Sequence, residues 1–269
     1  MRAFRIAYDG RPYRGFQRQP DVATVEGELF DALRALSVLA DDAGKPPGYA
    51  AAGRTDAGVS AVAQTVAFGA PDWLVPAALN GELSEGVRAW AYADAPAGFH
   101  ATRDAARREY TYHLYAPPAG VDDRRAREAL DRLAGEHDFR NLTPDDGGTV
   151  RDLETDLARD GDFLRLGFWA DGFARQLVRR TVSLVAGVAS GGIPPSRIER
   201  VLSDELLSGP EGVAPASAAG LVLTGVAYPA LDFRVDPDAA ASARDVFEER
   251  HAERATTARV AGAIRDEVG

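Results

Sequence analysis

Cysteine is absent from the sequence, which excludes thiol nucleophiles, disulfides and thiolate metal sites. Lysine is almost absent as well, because every one of the 31 basic residues except Lys45 is an arginine. No apolar run approaches the length of a membrane span, and the first residues lack the apolar segment of a signal peptide. We therefore expect a cytoplasmic protein that is not bound to a membrane.

The charge of the chain gives two opposing indications about its partners. A net charge of −10 argues against nonspecific affinity for a polyanion. Arginine, however, forms planar two-point contacts with phosphate and stacks on bases, so the basic residues that are present suit RNA. An acidic surface that is poor in lysine is also what adaptation to a high-salt cytosol would produce, and we state this adaptation as a hypothesis.

Hydrophobic periodicity predicts strands and helices in both halves of the chain, and hence an α/β protein. With 269 residues the chain is long enough for two medium domains. We predict an N-terminal α/β domain over residues 1–105 and a C-terminal α/β domain over residues 106–230. After residue 237 the composition shifts to Ala, Arg, Asp and Glu with few large apolar residues. Residues 231–269 are therefore predicted to form an appended helical extension.

One segment, Gly53-Arg54-Thr55-Asp56-Ala57-Gly58, places a cation, a hydroxyl and a carboxylate between two glycines. Strands are predicted on both sides of it, so the segment connects two strands. Small neighbours leave the Asp56 carboxylate accessible, and in a chain without cysteine a carboxylate is a leading candidate for covalent or acid–base chemistry. The alternative is an ordinary polar turn, because Gly and Asp are common turn residues.

Two other predicted elements can complete a site around Asp56. A helix is predicted over residues 173–189, and Arg179 in its early turns can supply a guanidinium that keeps the Asp56 carboxylate ionised. A strand is predicted over residues 109–115, where Tyr110 offers a stacking face for a base. Together these residues suit chemistry on a nucleobase or on its glycosidic bond.

Other kinds of site have weaker support in the sequence. There is no P-loop and no glycine-rich dinucleotide motif, so we expect no nucleotide cofactor. The four histidines are far apart and lack ligand spacing, so we expect structural or surface roles for them and no metal. A hydrolase that pairs Asp56 with Asp9 or Glu26 is possible, but nothing in the sequence brings these carboxylates together.

Several segments carry a family resemblance in chain order. They are Tyr8-Asp9-Gly10, Gly15-Phe16-Gln17-Arg18-Gln19-Pro20, Thr24-Val25-Glu26-Gly27, Gly53-Arg54-Thr55-Asp56-Ala57-Gly58-Val59, Phe99-His100-Ala101-Thr102-Arg103-Asp104-Ala105, Arg108-Glu109-Tyr110-Thr111-Tyr112 and Val178-Arg179. In these segments the chain resembles the tRNA pseudouridine synthase A family. Phe16 stands where the family usually has tryptophan, and Ser60 replaces a common histidine. The match ends near Pro229.

The resemblance implies a fold of two similar halves, each with an antiparallel sheet and flanking helices, around a central basic cleft. It implies isomerisation of uridine to pseudouridine in the anticodon arm of tRNA, without a cofactor, by a homodimer. In this family Asp56 corresponds to the catalytic aspartate, and Arg179 pairs with it. Tyr110 packs on the target base, and Arg54 helps to displace the target nucleotide from its stack.

Two rival functions stay open at the level of the sequence. The first is a noncatalytic tRNA-binding protein on the same scaffold, and the intact set of Asp56, Tyr110 and Arg179 argues against it. The second is a nucleoside or glycoside hydrolase that uses Asp56. A hydrolase would release free base or sugar, whereas pseudouridine stays attached to the RNA.

Overall fold

The computed structural model describes residues 1–207 and 209–268, and its strands form one ten-stranded sheet. The strands are β1 (Arg2–Tyr8), β2 (Ala50–Ala51), β3 (Ser60–Phe68), β4 (Val87–Asp94), β5 (Arg107–Tyr115), β6 (Gly135–Asp138), β7 (Val150–Asp160), β8 (Phe163–Ala170), β9 (Leu221–Ala227) and β10 (Arg234–Val235). The helices are α1 (Val25–Ala35), α2 (Pro76–Asn80), α3 (Asp123–Leu133), α4 (Leu177–Ala189), α5 (Ser196–Val201) and α6 (Pro237–Val268).

The sheet consists of two antiparallel halves that meet at a parallel pair. Its order is β10-β4-β1-β3-β9-β5-β8-β7-β6, and β2 pairs with β3. Ser60 and Ala61 of β3 lie parallel to Val222 and Leu223 of β9, whereas the other strand pairs of the described residues are antiparallel. The predicted α/β architecture of two antiparallel sheets with flanking helices is confirmed, and the two sheets are continuous through this pair.

Each half has its own cluster of buried apolar side chains. In the first half, Leu29 and Leu33 of α1 belong to the same cluster as Phe4 of β1. In the second half, Leu184 of α4 belongs to the same cluster as Leu166 of β8. The burial of each helix face against its own half of the sheet leaves the junction of β3 and β9 between two separate cores.

The helix predicted over residues 173–189 begins later than expected. Gln176 has a φ of +61°, in the left-handed region, and α4 starts at Leu177. A residue with this φ cannot continue a right-handed helix, so residues 173–176 form an ordered turn before it. Arg179 therefore lies in the first turn of α4.

The C-terminal extension is helical, as predicted, but it also contributes a strand. β10 pairs with β4, and α6 follows directly after it. β10 was not predicted, and neither was β6, because such short strands carry too few residues for an alternating pattern. His137, one of the four histidines for which structural or surface roles are expected, lies in β6. Among the described residues there is no helix long and apolar enough to cross a membrane.

Candidate active site

Asp56 lies where the two halves of the sheet meet. It belongs to residues 52–59, which we call the Asp56 loop and which end directly before β3. The loop faces a cleft of about 1090 Å3 that is lined by residues of both halves. Arg54 and Asp56 line it from the first half, and Tyr110 and Arg179 line it from the second. All four predicted site residues therefore come together around one cleft.

Residues 9–23, which we call the N-terminal loop, support the Asp56 loop from one side. The Phe16 N–H donates to the Thr55 carbonyl at 3.0 Å, and the Gly58 N–H donates to the Tyr13 carbonyl at 3.3 Å. The two hydrogen bonds bracket Asp56 in the sequence. They hold the backbone on both sides of the carboxylate without using the carboxylate itself.

Gly15 allows the two loops to approach each other this closely. Its φ is +109°, and a Cβ at this position would lie 3.1 Å from the Thr55 carbonyl oxygen and 3.4 Å from the Ala57 nitrogen. A side chain would therefore be strained by the backbone conformation and crowded by the Asp56 loop. The position of Gly15 in the N-terminal loop is therefore explained by local steric crowding.

Thr55 fixes the Asp56 loop to the core of the first half. The hydroxyls of Thr55 and Tyr8 share a hydrogen bond of 2.7 Å, and both residues are buried. Burial raises the pKa of the Tyr8 phenol, which therefore stays protonated and able to take part in this bond. The next side chain, Asp56, is 30% exposed and faces the cleft.

Arg179 supplies a cation opposite Asp56. Its Nη1 lies 3.4 Å from Oδ2 of Asp56, and its Nε donates to the Ala216 carbonyl at 2.7 Å. Charge-assisted N–H···O contacts are normally about 2.7–2.9 Å long, so the contact with Asp56 is loose. Because this contact is loose, the carboxylate oxygens of Asp56 keep the capacity to act on another molecule.

Tyr110 presents its ring beside the carboxylate. It stands in β5 opposite Phe168 of β8, and its ring meets that of Phe173 edge to face at 5.0 Å. Burial, which Arg108 opposes and Asp56 reinforces, raises the pKa of Tyr110 to about 12. The phenol is therefore protonated at neutral pH, and the residue offers a ring and a hydroxyl but no base.

Positive groups surround the opening of the cleft. Arg14, Arg54 and Arg175 line it and are exposed. Arg175 is also tied to Asp145, with 3.2 Å between its Nε and Oδ1 and 2.8 Å between its backbone nitrogen and Oδ2. Exposed guanidinium groups around an apolar ring suit a phosphate backbone that carries a base.

Two residues that line the cleft were not predicted to be there. His100, for which the sequence suggested a structural or surface role, accepts a hydrogen bond on Nδ1 from the Thr102 N–H at 3.2 Å. Gln176 is held in its left-handed conformation, and its Oε1 accepts from Nε and Nη2 of Arg180 at 3.2 and 3.0 Å. His100 lies in a recognisable segment, but no local pattern marks a non-glycine residue with positive φ.

The carboxylates of the rival hydrolase are occupied elsewhere. Glu26 lines the cleft, but its carboxylate accepts the Arg18 N–H at 2.8 Å. Asp9 is 5% exposed and forms ion pairs with Arg11 and with two arginines of α6. The geometry therefore favours Asp56 as the carboxylate that acts within the cleft.

Comparison with known proteins agrees with this geometry. A family model described as tRNA pseudouridine synthase matches residues 129–229. The chain is 59% identical to a curated tRNA pseudouridine synthase A of Haloarcula marismortui, with 99% of each chain covered. It is 59% identical to that of Halobacterium salinarum, with 97% of each covered, and 38% identical to that of Methanosarcina barkeri, with 84% of each covered.

The chain belongs to the tRNA pseudouridine synthase family. The resemblance seen in the sequence motifs is thereby confirmed, and it extends beyond the predicted limit near Pro229, since the first relative covers nearly the whole chain. As a member of this family the protein is an isomerase that modifies RNA.

Proposed function

We propose that Asp56 is the catalytic carboxylate in the isomerisation of uridine to pseudouridine in the anticodon arm of tRNA. The observation that carries this proposal is the pair of Asp56 and Arg179, whose closest atoms are 3.4 Å apart. The pair places a carboxylate that is open to the cleft opposite a guanidinium from the other half of the sheet. An ordinary polar turn would not need a guanidinium partner from the other half of the sheet.

The reaction needs little beyond an ionised carboxylate and a closed environment. The N1–C1′ bond of uridine breaks, the base reorients, and a C5–C1′ bond forms while C5 loses a proton and N1 gains one. Atoms and electrons balance within the nucleotide, so no oxidant or cofactor is needed. Asp56 can attack C6 of the base, attack C1′ of the sugar, or remove a sugar proton to give a glycal, and each route uses the ionised form.

Tyr110 and Arg54 have proposed roles in holding the target nucleotide. The Tyr110 ring packs on the uracil, and its high pKa means that it does not compete with Asp56 as a base. Arg54 lies two residues before Asp56 and is exposed, so its planar guanidinium can fill the gap that the extruded nucleotide leaves. Extrusion is necessary because the reacting atoms are inaccessible within a stacked stem.

The proposed substrate resolves the conflict between acidic composition and RNA binding. Arg14, Arg54 and Arg175 line the cleft, and in this proposal they contact the tRNA backbone. We propose a homodimer in which each tRNA contacts both subunits, because two copies would bring more arginines to one RNA. The cytoplasm is the expected location. Light scattering of the protein with and without tRNA tests the oligomeric state.

One assay separates this proposal from its rivals. The protein is incubated with an unmodified tRNA transcript, and pseudouridine is mapped chemically. We expect product at anticodon-arm uridines only, and no product in a transcript whose anticodon-arm uridines are replaced by cytidine. A noncatalytic binding protein would give no product, and a hydrolase would release free base.

The Asp56→Asn variant tests the role of the carboxylate. It should bind the transcript with nearly unchanged affinity and form no pseudouridine. Glu26→Gln is the matched control, because Glu26 is the second acidic residue considered for this cleft and its replacement should leave product formation intact. Pseudouridine formation by Asp56→Asn would show that another group performs the chemistry.

A further inference from the structure

Asp9 lies directly after β1 and is almost completely buried, with 5% of its surface exposed. Three guanidinium groups surround its carboxylate. Nε of Arg11 lies 2.9 Å from Oδ1, whereas Nη1 of Arg250 and Nη2 of Arg254 lie 3.2 and 2.6 Å from Oδ2. Arg250 and Arg254 belong to α6, so the two ends of the chain meet at this carboxylate. We call Asp9, Arg250 and Arg254 the Asp9 clamp.

Helix α6 has few other contacts that would hold its second half. Its buried residues are Ala239 and Ala243, near its beginning, where it packs on β4. Val260 and Ile264, further along, are 54% and 60% exposed. Apolar side chains therefore pack α6 as far as the half-buried Val246 and Phe247, and the ion pairs with Asp9 follow directly after them.

The residue after Asp9 lies against the end of the Asp56 loop. The Gly10 N–H donates to Oγ of Ser60 at 3.0 Å. A Cβ on Gly10 would lie 1.9 Å from the Val59 carbonyl oxygen, so the two backbones are in direct contact. A shift of Asp9 therefore displaces Gly10 against Val59.

The same N-terminal loop continues along the Asp56 loop. Its Tyr13 carbonyl accepts the Gly58 N–H, and its Phe16 N–H donates to the Thr55 carbonyl. Together with Gly10, these contacts touch the Asp56 loop before and after Asp56. The backbone of the N-terminal loop thus connects the clamp to the proposed catalytic carboxylate.

We propose that the Asp9 clamp positions the Asp56 loop, so that α6 is part of the catalytic unit and Asp9 is a positioning residue. The ion pairs fix Asp9, Asp9 fixes the start of the N-terminal loop, and that loop fixes the backbone on both sides of Asp56. The proposal rests on the catalytic role of Asp56. Displacement of a reacting group by about 1 Å costs about 100-fold in rate, so a small movement of this loop has a large effect.

The test is the double variant Arg250→Ala/Arg254→Ala in the full chain. Its matched control is Arg244→Ala/Arg259→Ala, which removes two exposed arginines from the same helix and changes the net charge equally. The rate constant of pseudouridine formation is measured in a single turnover with saturating enzyme, and the Kd for tRNA is measured separately. The control shows how far loss of two positive charges alone affects either quantity.

We expect the clamp variant to lose about 10- to 100-fold in the single-turnover rate constant, with a Kd within about threefold of the control. Arg250→Lys/Arg254→Lys should recover part of the rate, because ammonium groups can still pair with Asp9. A clamp variant that reacts as fast as the control overturns the proposal. Equal losses of rate in the clamp variant and in the control variant overturn it as well, because the loss would then come from the change in net charge.

A single variant and its unfolding transition distinguish a loss of catalysis from a loss of stability. The single variant Arg250→Ala retains Arg254 and Arg11 at Asp9, so it stays folded at the assay temperature, which its unfolding transition checks. It should show a smaller loss in the same direction. If Asp56→Asn is inactive and the clamp variant is fully active, only the clamp is wrong. If Asp56→Asn is active, the proposed role of Asp56 is wrong.

Discussion

Asp9 and Asp56 are two carboxylates on the same pair of contacting loops, and they have opposite environments. Asp9 is 5% exposed and has three guanidinium groups within 3.2 Å. The Asp56 side chain is 30% exposed, and the contact that the structure gives it with Arg179 is 3.4 Å long. A buried charge must be paired and hydrogen-bonded to be tolerated. A reactive charge must keep unsatisfied oxygen atoms, so the looser environment of Asp56 suits chemistry.

The largest expected effects are those of replacing Asp56 and Asp9, and the two replacements should lower different quantities. Asp56→Asn should lower the rate of pseudouridine formation by about 10⁴-fold or more, because the reacting group itself is removed, with little change in stability. Asp9→Asn should lower the free energy of unfolding by about 2 kcal/mol, since it leaves the surrounding arginines without their charge partner. Urea unfolding and single-turnover assays on both variants measure the two quantities. If Asp56→Asn lowered the free energy of unfolding and Asp9→Asn did not, Asp56 would be the carboxylate needed for stability, which would contradict this comparison.

The next largest effect concerns Arg179, the cation that contacts Asp56. Arg179→Ala should reduce the single-turnover rate constant by about 100-fold, because a charge that supports the reacting group is lost. Arg175→Ala, at the exposed opening of the cleft, removes the same charge and serves as the control. It should raise the Kd for tRNA while leaving the rate constant nearly unchanged. Equal rate losses in both variants would show that the 3.4 Å contact between Arg179 and Asp56 has no special role in the reaction.

A smaller effect tests the backbone contact that joins the two regions. Gly10→Ala would place a Cβ 1.9 Å from the Val59 carbonyl oxygen, so the loops must separate. We expect a loss of about 1–3 kcal/mol in stability and a slower reaction. Gly53→Ala lies in the Asp56 loop itself, but nothing stands within 4 Å of its added Cβ. Thermal unfolding should show little change for that variant, and a larger loss than for Gly10→Ala would contradict this account.

The smallest expected effect is that of the Tyr110 hydroxyl. Burial raises the pKa of this phenol to about 12, so it is uncharged at neutral pH. Tyr110→Phe should retain activity within about threefold, whereas Tyr110→Ala, which removes the ring, should lose far more. The stabilisation from the buried neutral phenol is fully present below pH about 10 and is lost as the pH rises towards 12. A rate profile that falls with Tyr110 ionisation near pH 8 would contradict this assignment.

The candidate site could be proposed from the sequence because several of its residues lie close together along the chain. Arg54, Thr55 and Asp56 stand within one short segment, and the strands on either side of it follow from their residue pattern. The start of α4 was not predictable, because Gln176 adopts a left-handed backbone conformation for which glutamine has no preference. The single-sheet junction between β3 and β9 was also missed, since strand pairing between distant segments leaves no periodic trace.

The sequence by itself determined the identity of the Asp56 segment, the order of the longer strands and helices, and the presence of a helix after residue 237. These depend on neighbours along the chain, through periodicity, capping and turn residues. Only the tertiary structure decided that Asp9 takes Arg250 and Arg254 as partners, 241 and 245 residues away, and that Asp56 keeps a looser contact with Arg179. The physical reason is that burial and charge pairing depend on distances in space, which are set only when the two halves of the sheet have joined.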